Sequence, residues 1–343
     1  MGDTSPRGAR RAVQRLPRTG LRRAVRGLAW LWAIAGALWL LLRFLDVAGP
    51  VPMLQSVLPV VGLSLVLLVL VTALARLWGP ALLAGLQLVP YAVLALPWYF
   101  GSPGEPAEDD VVVMSANPLY GRADLDRLTA VVQEHYVSAL VLLEVTPEAD
   151  DALRDGPLAQ LLPHRSGTVR DDAGGTLVLT ADEHELLPDG PVGAFDNVPV
   201  RVSSPAGEWT LLGTHTHPPG LTEATQWRSD LGWLGLWSAR QPDGIPVVMA
   251  GDFNAFQAHP AFRALGEGLT DAHQGTGGRW VRTWPLQGWG PVPAFVQLDH
   301  ILVADLCRAG IGAVVAITDA LGPGRSLRWR CAACDAWCGR VCG

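Results

Sequence analysis

Three long, nearly uncharged runs of apolar residues occupy most of the first hundred residues of this 343-residue chain. They cover residues 28–42, 52–75 and 79–100, and they approach the roughly 20 residues that a membrane-spanning helix needs. A cleaved signal peptide has an apolar core of only about 7 to 15 residues, followed by a small-residue cleavage site that the first run lacks. We therefore predict three transmembrane helices within residues 28–100, rather than a signal peptide followed by a buried helical hairpin.

The segment ahead of these runs, residues 1–27, is a basic arm. It carries eight arginines and only one acidic residue, Asp3. Basic flanks remain on the cytoplasmic side of a membrane, where they attract anionic lipid headgroups. Nucleic-acid binding is the alternative role for such an arm. Three crossings that start in the cytoplasm predict a multi-pass protein of the cell membrane, with residue 101 onward on the extracellular side.

The composition changes sharply beyond residue 100, which predicts a separate domain. Residues 101–110 are rich in Pro, Gly and acidic residues, as is typical of a linker, and the domain follows at 111–320. Residues 101–320 hold 29 acidic residues against 12 arginines, a net charge of −17, and the whole chain has no lysine. Because nucleic-acid binding relies on basic side chains that neutralise phosphates, this charge argues against long nucleic acid as the default ligand.

Apolar runs in this domain alternate with stripes of helical period, which predicts a layered α/β fold with strands running both ways. Predicted helices cover 122–135, 223–239 and 260–265. Predicted strands cover 111–117, 138–144, 176–180, 198–203, 209–216, the run that ends at Gly251, 295–303 and 311–317.

Polar side chains stand where several of these strands end. Asp252 and Asn254 follow the apolar run at 247–250 and, being two residues apart, point to the same side of the chain. A carboxylate can orient or deprotonate a water, and a neutral amide can donate to a phosphoryl oxygen, so the pair suits phosphoester chemistry. An Asx turn is the purely structural alternative. Other strands end in or contain Asn117, Glu144, His215 and Asp299.

Six fragments of the domain carry a family resemblance. In chain order they are NPLYGRADLDRL, VLLEVTPE, GTHTHPP, VVMAGDFNAFQAHPAFRAL, RTWP and LDHILV. Together they resemble the endonuclease/exonuclease/phosphatase superfamily over residues 111 to about 318, and most of all its bacterial membrane-tethered members. The resemblance implies a DNase I-like layered α/β sandwich behind three N-terminal transmembrane helices. It also implies a metal-dependent hydrolase that acts on phosphoester bonds.

The resemblance further implies a metal site. Glu144 would bind the catalytic Mg²⁺ or Mn²⁺, and Asn117 would help to set the metal or the phosphate. Proteins usually hold Mg²⁺ by one or two carboxylates, with water and substrate oxygens as the other ligands. The structural alternatives are an acid at the start of a helix for Glu144 and a turn former before Pro118 for Asn117. His215 and His217 lie on one strand face and form an alternative metal pair, although no third nitrogen or sulfur ligand is placed nearby.

The same resemblance implies the catalytic roles. Asp252 would orient and deprotonate the attacking water, and Asn254 would hold a phosphoryl oxygen. His215 would donate to the charge that grows in the transition state, and Asp299 would partner a final catalytic histidine. An ordinary salt bridge at a strand end is the alternative for Asp299. We expect His217 and His300 to be structural.

The end of the chain departs from the family pattern of Ser or Thr, Asp, His and a closing apolar strand. The sequence instead reads PGRSLRWRCAACDAWCGRVCG, and no histidine follows His300. Within this tail, residues 321–343, four cysteines are crowded together: Cys331, Cys334, Cys338 and Cys342. A zinc knot and extracellular disulfides are two interpretations. We favour a third, a frame-shifted or degenerate end, which would remove the final histidine and impair hydrolysis.

Two functions therefore follow from the sequence. The first is a membrane-anchored, outward-facing, Mg²⁺-dependent phosphoesterase for a lipid headgroup, a nucleotide or nucleic acid, impaired by loss of the Asp-His motif. The second is a catalytically inactive member of the same fold that binds a phosphorylated ligand or a partner protein. A small transporter is disfavoured because the apolar runs contain no Asp, Glu, Lys, Arg or His, and only Arg43 and Arg76 lie at their edges. The oligomeric state stays open.

Overall fold

The structure is a computed structural model that describes residues 18–99, 111–118, 120, 124–205, 207–273, 282–285, 292–304 and 314–318. The predicted linker at 101–110 and the cysteine-rich tail at 321–343 lie outside the described residues. So does most of the basic arm, up to residue 17.

Two mixed β-sheets form the centre of the domain. The first has the strand order β11-β1-β2-β4-β3, and the second has the order β5-β6-β7-β8-β10-β9. The strands are β1 Val111–Ala116, β2 Ala139–Leu143, β3 His164–Thr168, β4 Thr176–Thr180, β5 His184–Leu186, β6 Val198–Ser204, β7 Gly207–His215, β8 Val247–Asp252, β9 Thr270–Asp271, β10 Asp299–Ala304 and β11 Val314–Thr318.

Helices cover the outer faces of both sheets and precede the domain. They are α1 Arg18–Leu42, α2 Val51–Ser56, α3 Leu58–Leu74, α4 Trp78–Tyr99, α5 Leu125–Glu134, α6 Pro147–Asp155, α7 Leu158–Leu161, α8 Ala224–Ser238 and α9 Pro260–Leu265. Local capping sets where two of them start. Asp124 accepts the Arg127 amide at the start of α5, and Thr146 accepts the Ala149 amide at the start of α6.

Alternation along the strands divides the apolar residues among three cores. Alternate residues such as Val141, Val248 and Ile301 meet between the two sheets. The residues between them, such as Leu142 on β2 and Met249 on β8, face the helices α5–α7 and α8–α9 respectively. The domain is therefore a four-layer α/β/β/α sandwich, which agrees with the predicted mixed α/β fold.

The predicted strands and helices of the domain are found close to their expected bounds, with two kinds of exception. Strand β10 begins at Asp299 rather than at 295, because the backbone at Val296 pairs with Trp284 in an isolated bridge. Strands β3, β5 and β9 and helices α6 and α7 were not predicted. The sequence of β3, HRSGT, contains no apolar run, so alternation gives no signal there.

The prediction of three transmembrane helices is wrong in its count. Among the described helices, α1 over Gly20–Leu42 is long and apolar enough to cross a membrane, whereas α3 and the part of α4 over Trp78–Leu94 are shorter apolar stretches. The second run is divided at Val57, since Leu58 precedes Pro59 and the residue before a proline disfavours a continuing helix. Its remaining helix, α3, has 17 residues and a length of about 26 Å, short of a hydrocarbon core of about 30 Å.

Helix α2 belongs to the boundary with the domain rather than to a membrane span. The Nε2 atom of His259 lies 3.0 Å from the carbonyl oxygen of Pro52 and 3.3 Å from Oγ of Ser56. The Nε2 atom of Gln55 donates back to the carbonyls of Leu42 and Leu45. The start of the second apolar run is thereby fixed between α1 and the domain.

Candidate active site

Three side chains form a row across the second sheet. In the pairing of β7, β8 and β10, His215 lies opposite Asp252, and Asp252 lies opposite Asp299. Side chains that are neighbours in register point to the same face of a sheet. Alternation along β8 and β10 places this face between the two sheets, with Ala250 and Ile301 further along it. Three polar residues from distant parts of the sequence thus line one end of the cleft.

Close packing of β7 on β8 requires a glycine beside this row. Gly251 has a φ of +151°, and a Cβ atom at this position would lie 1.8 Å from the carbonyl oxygen of Thr214. No other residue type fits there without moving one of the strands. Gly251 therefore fixes how closely His215 and Asp252 approach each other, and the Nε2 to Oδ2 distance is 4.0 Å.

Glu144 faces the cleft because of its backbone conformation. Leu140 and Leu142 on β2 point to the face of the sheet that packs on the helices. Strict alternation along the strand would point Glu144 to the same outer face. Its φ of +50° breaks that alternation. The side chain is buried and accepts a hydrogen bond of 2.8 Å from Nδ2 of Asn117, at the end of the neighbouring strand β1. A left-handed non-glycine residue is costly, so such conformations concentrate at functional sites.

Asp252 is a largely buried acid whose pKa is raised. Its side chain is 15% exposed, and one oxygen accepts the Asn254 amide at 2.8 Å. Burial raises the pKa of Asp252 to about 6, the hydrogen bond from Asn254 opposes the rise, and the charge of Glu144 adds to it. An acid with this pKa is a usable base near neutral pH.

Asp299 is the second acid whose pKa is raised. Burial, followed by the charge of Asp252, raises the pKa of Asp299 to about 7, although a hydrogen bond from Thr283 opposes the rise. Thr283 also accepts the backbone amides of Leu298 and Asp299, at 2.9 and 3.3 Å. The sequence fragment that contains Thr283 belongs to the family resemblance, but its contact with Asp299 was not predicted.

His215 is held as a neutral imidazole. Its Nδ1 atom lies 3.1 Å from the carbonyl oxygen of Ala173 and therefore carries the hydrogen. Burial lowers the pKa of His215, although the charges of Glu144 and Asp299 oppose this. In this state Nε2 presents a lone pair to the cleft, so His215 can donate only after it takes up a second proton.

Asn254 is oriented by the backbone of the neighbouring loop. Its Nδ2 atom donates to the carbonyl oxygen of Thr216 at 2.9 Å, and its φ is +47°. An amide nitrogen has two hydrogens, so the second remains for an oxygen in the cleft. The loop is braced in turn by Asp230, which was not among the predicted residues. The buried Asp230 carboxylate accepts the backbone amides of His217 and Ala194.

The alternative metal pair of His215 and His217 stays a prediction. The Nδ1 atoms of the two imidazoles face different carbonyls, of Ala173 and Pro218, and both rings pack on Phe195. Among the described residues, no three His, Cys, Asp or Glu side chains converge as a closed metal site would require.

A hard cation with few protein ligands nevertheless fits the cleft. The Oε2 atom of Glu144 is buried and has no hydrogen-bond partner among the described residues. Glu144 also acts electrostatically on Asp252, and Asp252 acts on Asp299. Three acids with little compensating positive charge favour a bound cation, and Mg²⁺ needs only one or two of their oxygens.

His300 is separate from this row. It points to the helix side of β10, where its Nδ1 lies 2.6 Å from Asp271 and its Nε2 lies 2.9 Å from the carbonyl of Ala255. Burial would raise the pKa of Asp271, but the charge of His300 and the hydrogen bonds of His273 and His300 lower it. This buried cluster, which sequence patterns did not reveal, supports the loop that follows Asn254.

The sequence profile described as the Endonuclease/Exonuclease/phosphatase family matches residues 100–319, which is more than half of the chain. The chain belongs to this family. Its members are metal-dependent enzymes that hydrolyse phosphoester bonds. The predicted family is thereby confirmed, and the two mixed sheets agree with the DNase I-like fold expected for the domain, whereas membership of a membrane-tethered subgroup stays a prediction. No curated protein matches the chain.

Several solved structures are similar to this member of the family. D. rerio TDP2, complexed with a single-strand DNA product, is 14% identical over 56% of this chain and 82% of that chain, with a TM-score of 0.46. A β-hairpin deletion mutant of Staphylococcus aureus beta toxin is 14% identical over 64% and 96%, with a TM-score of 0.43. A family protein of Bacteroides thetaiotaomicron is 15% identical over 56% and 82%, with a TM-score of 0.42.

Proposed function

We propose that this chain is a membrane-anchored, Mg²⁺-dependent phosphodiesterase whose catalytic domain faces away from the cytoplasm. The observation that carries the proposal is the row of His215, Asp252 and Asp299, which lies beside the unpartnered carboxylate oxygen of Glu144. A site that only stabilised the fold would have no reason to bury three mutually repelling acids.

Glu144 and Asn117 are the residues that we assign to the metal, with Mn²⁺ as the alternative ion. When bound, the cation would polarise the phosphoryl oxygen and offset the charge of the acids. Removal of the Glu144 carboxylate would therefore weaken metal binding more than it weakens the fold, because its Oε2 atom has no hydrogen-bond partner among the described residues.

Asp252 is the base that we assign to the attacking water. Its pKa of about 6 leaves it ionised at neutral pH, yet basic enough to accept a proton. Asn254, fixed by the carbonyl of Thr216, would donate its second amide hydrogen to a phosphoryl oxygen. His215 would act once protonated, and the nearby acids Glu144 and Asp299 favour that form.

Helix α1 is the anchor in this proposal. A single span that follows a basic N-terminal arm places the domain on the side opposite to the arm, as three spans would have done. The proposed substrate is a phosphodiester such as a lipid headgroup or a nucleotide. The net charge of −17 over residues 101–320 makes a long nucleic acid the weakest of the three substrate classes considered.

The competing proposal is a catalytically inactive member of the family that binds a phosphorylated ligand or a partner protein. It is supported by one observation, that the sequence contains no histidine beyond His300. Asp299, which the family pattern pairs with such a histidine, would then contribute only charge.

The deciding experiment is hydrolysis of a chromogenic phosphodiester by the full chain in detergent, with millimolar Mg²⁺ or with EDTA. The full chain is needed because the domain is held by α1 and α2. We expect Mg²⁺-dependent turnover that Asn254→Ala lowers by about 10² to 10³-fold. The matched control, Asp243→Asn, alters an exposed acid and should have no effect.

The absence of turnover would favour the competing proposal, provided that inorganic phosphate still binds in a Mg²⁺-dependent manner. Turnover gained only when residues after 319 are replaced by an Asp-His strand would show that the site is intact but incomplete. Turnover that is equal in EDTA and Mg²⁺ would contradict the proposed metal dependence.

A further inference from the structure

An apolar cavity of about 430 Å³ lies between the N-terminal helices and the loop that follows Asn254. Helices α3 and α4 form one wall, and the loop at 256–258 forms the other. The volume lies within the range of sites for small organic molecules. Its lining includes Leu58, Leu63, Val66, Tyr91, Ala92 and Phe256.

The chemistry of the walls favours a hydrocarbon ligand over a polar one. The polar side chains at the cavity are few, namely Tyr91, Gln257, Gln297 and His300. Of their polar atoms, Oη of Tyr91 and Oε1 of Gln297 are buried without a hydrogen-bond partner among the described residues. His300 uses both ring nitrogens, on Asp271 and Ala255, and Gln297 donates to the carbonyl oxygen of Asp299. The described lining of the cavity contains no Asp, Glu, Lys or Arg side chain. A ligand with a charged group would therefore leave that group outside.

The cavity opens onto an exposed apolar surface. Leu63 and Val66, at its mouth, are 72% and 41% exposed. Both lie on the outer side of α3, and the exposed apolar surface continues along that helix through Leu67, Leu70 and Leu74. Helix α4 has a corresponding stripe formed by Leu82, Leu86, Val89 and Val93. An exposed apolar surface of this extent marks contact with a membrane or another protein.

The contacts of α3 and α4 with α1 favour a membrane, rather than another protein, as the partner of this exposed surface. Gln87 on α4 donates to the carbonyl oxygen of Ala33 at 2.8 Å, and Trp32 donates to Ser64 on α3 at 3.2 Å. Both contacts tie α3 and α4 to α1, the helix that is long and apolar enough to cross a membrane. The cavity mouth is therefore continuous with the surface of the anchoring helix.

We propose that this cavity is a binding site for one acyl chain of a membrane phospholipid. The chain would enter beside Leu63 and Val66 and lie against Tyr91 and Phe256, while the headgroup would stay at the mouth. The site is distinct from the row of His215, Asp252 and Asp299. It rests on the proposed anchoring by α1 but not on the proposed hydrolysis. Because residues 256–258 follow Asn254 closely, an occupied cavity would brace the catalytic loop from behind.

The test uses the full chain in phosphatidylcholine–phosphatidylglycerol nanodiscs that contain phosphatidylglycerol with a diazirine in its acyl chain. After irradiation, labelled peptides are located by mass spectrometry. We expect labelling at residues 256–258 and on the cavity side of α4 near Ala92. Val66→Trp and Ala92→Trp place an indole at the mouth and should lower the labelling of 256–258 by about fivefold or more, since the chain loses its contacts there.

The matched control is Leu70→Trp, on the same helix and 57% exposed, but outside the cavity lining. It should leave the labelling of 256–258 unchanged. Label that is confined to the outer stripes of α3 and α4, or that falls equally in all three variants, would overturn the proposal. Displacement of the label by an equimolar free fatty acid would overturn the assignment to a phospholipid. Hydrogen exchange at 255–258 gives a second readout, with slower exchange expected in nanodiscs than in detergent only if the cavity is filled.

Discussion

Replacement of Asp252 by asparagine should make the metal-free protein more stable and inactive at the same time. The pKa of Asp252 is about 6 in the folded protein, against an ordinary value of 3.8. A difference of about two pKa units corresponds to roughly 3 kcal/mol of folding free energy that the ionised carboxylate removes. The substituted side chain would have no charge to bury, and its amide oxygen can still accept the Asn254 backbone amide.

The sign of the effect depends on pH. Well below pH 3.8 the carboxyl is protonated in both the folded and the unfolded chain, so it carries no penalty. As the pH rises from about 4 to about 6, the unfolded chain ionises freely while the folded chain resists ionisation, and wild-type stability falls. The advantage of Asp252→Asn should therefore be about 3 kcal/mol at pH 8 and only about 1 kcal/mol at pH 4.5.

The assay is thermal unfolding of the full chain in detergent and EDTA, followed by tryptophan fluorescence. The buried Trp209 and Trp227 report on the domain. A gain of about 3 kcal/mol corresponds to an increase in Tm of roughly 6 to 12 °C at pH 8. Asp243→Asn is the control, because Asp243 is exposed. An unchanged or lower Tm for Asp252→Asn at pH 8, or the same shift at both pH values, would refute the reasoning.

Three further predictions concern the backbone, the metal and the anchor. Gly251→Ala should prevent folding or lower Tm severely, because the new Cβ would lie 1.8 Å from the carbonyl oxygen of Thr214. The control Gly244→Ala has a φ of +82° and open space around it, so it should cost only about 1 kcal/mol. Similar Tm values for the two variants would contradict the close-packing argument. Millimolar Mg²⁺ should raise Tm more at pH 8 than at pH 5. At the lower pH, protonation of Asp252 and Asp299 removes negative charge beside the proposed metal site at Glu144. A larger rise at pH 5 would count against that site. Arg263→Ala should lower Tm and turnover together, because Arg263 donates to the carbonyls of Gln257, Ala258 and Arg43 and so holds the loop at 256–258 near α1. The control Arg240→Ala alters an exposed arginine and should change neither. A loss of turnover of equal size in both variants would exclude a bracing role for Arg263.

Much of the domain could be predicted from local pattern. Strand β4 and helix α9 have the expected bounds, and β1, β2, β6, β7 and α8 differ from theirs by at most two residues. The elements that patterns missed are short or polar, such as β3 and the two-residue β9, where burial comes from neighbours rather than from a run of apolar residues. The three-span prediction failed for a related reason. Apolar content shows that a segment avoids water, but it does not show whether the segment crosses a bilayer or, as α2 does, contacts a folded domain.

The sequence by itself determined the family, the order of the strands along the chain and the polar residues at their ends, because these follow from periodicity and from short motifs. Only the tertiary structure decided which of those residues meet. The pairing of β8 with β10 sets Asp252 against Asp299. Burial raises the pKa of both acids, the charge of Glu144 adds to the rise at Asp252, and the charge of Asp252 adds to the rise at Asp299. The left-handed backbone at Glu144 turns its carboxylate into the cleft against the alternation of its strand. Distance, burial and charge between residues far apart in sequence arise only when the chain is packed, so no local pattern contains them.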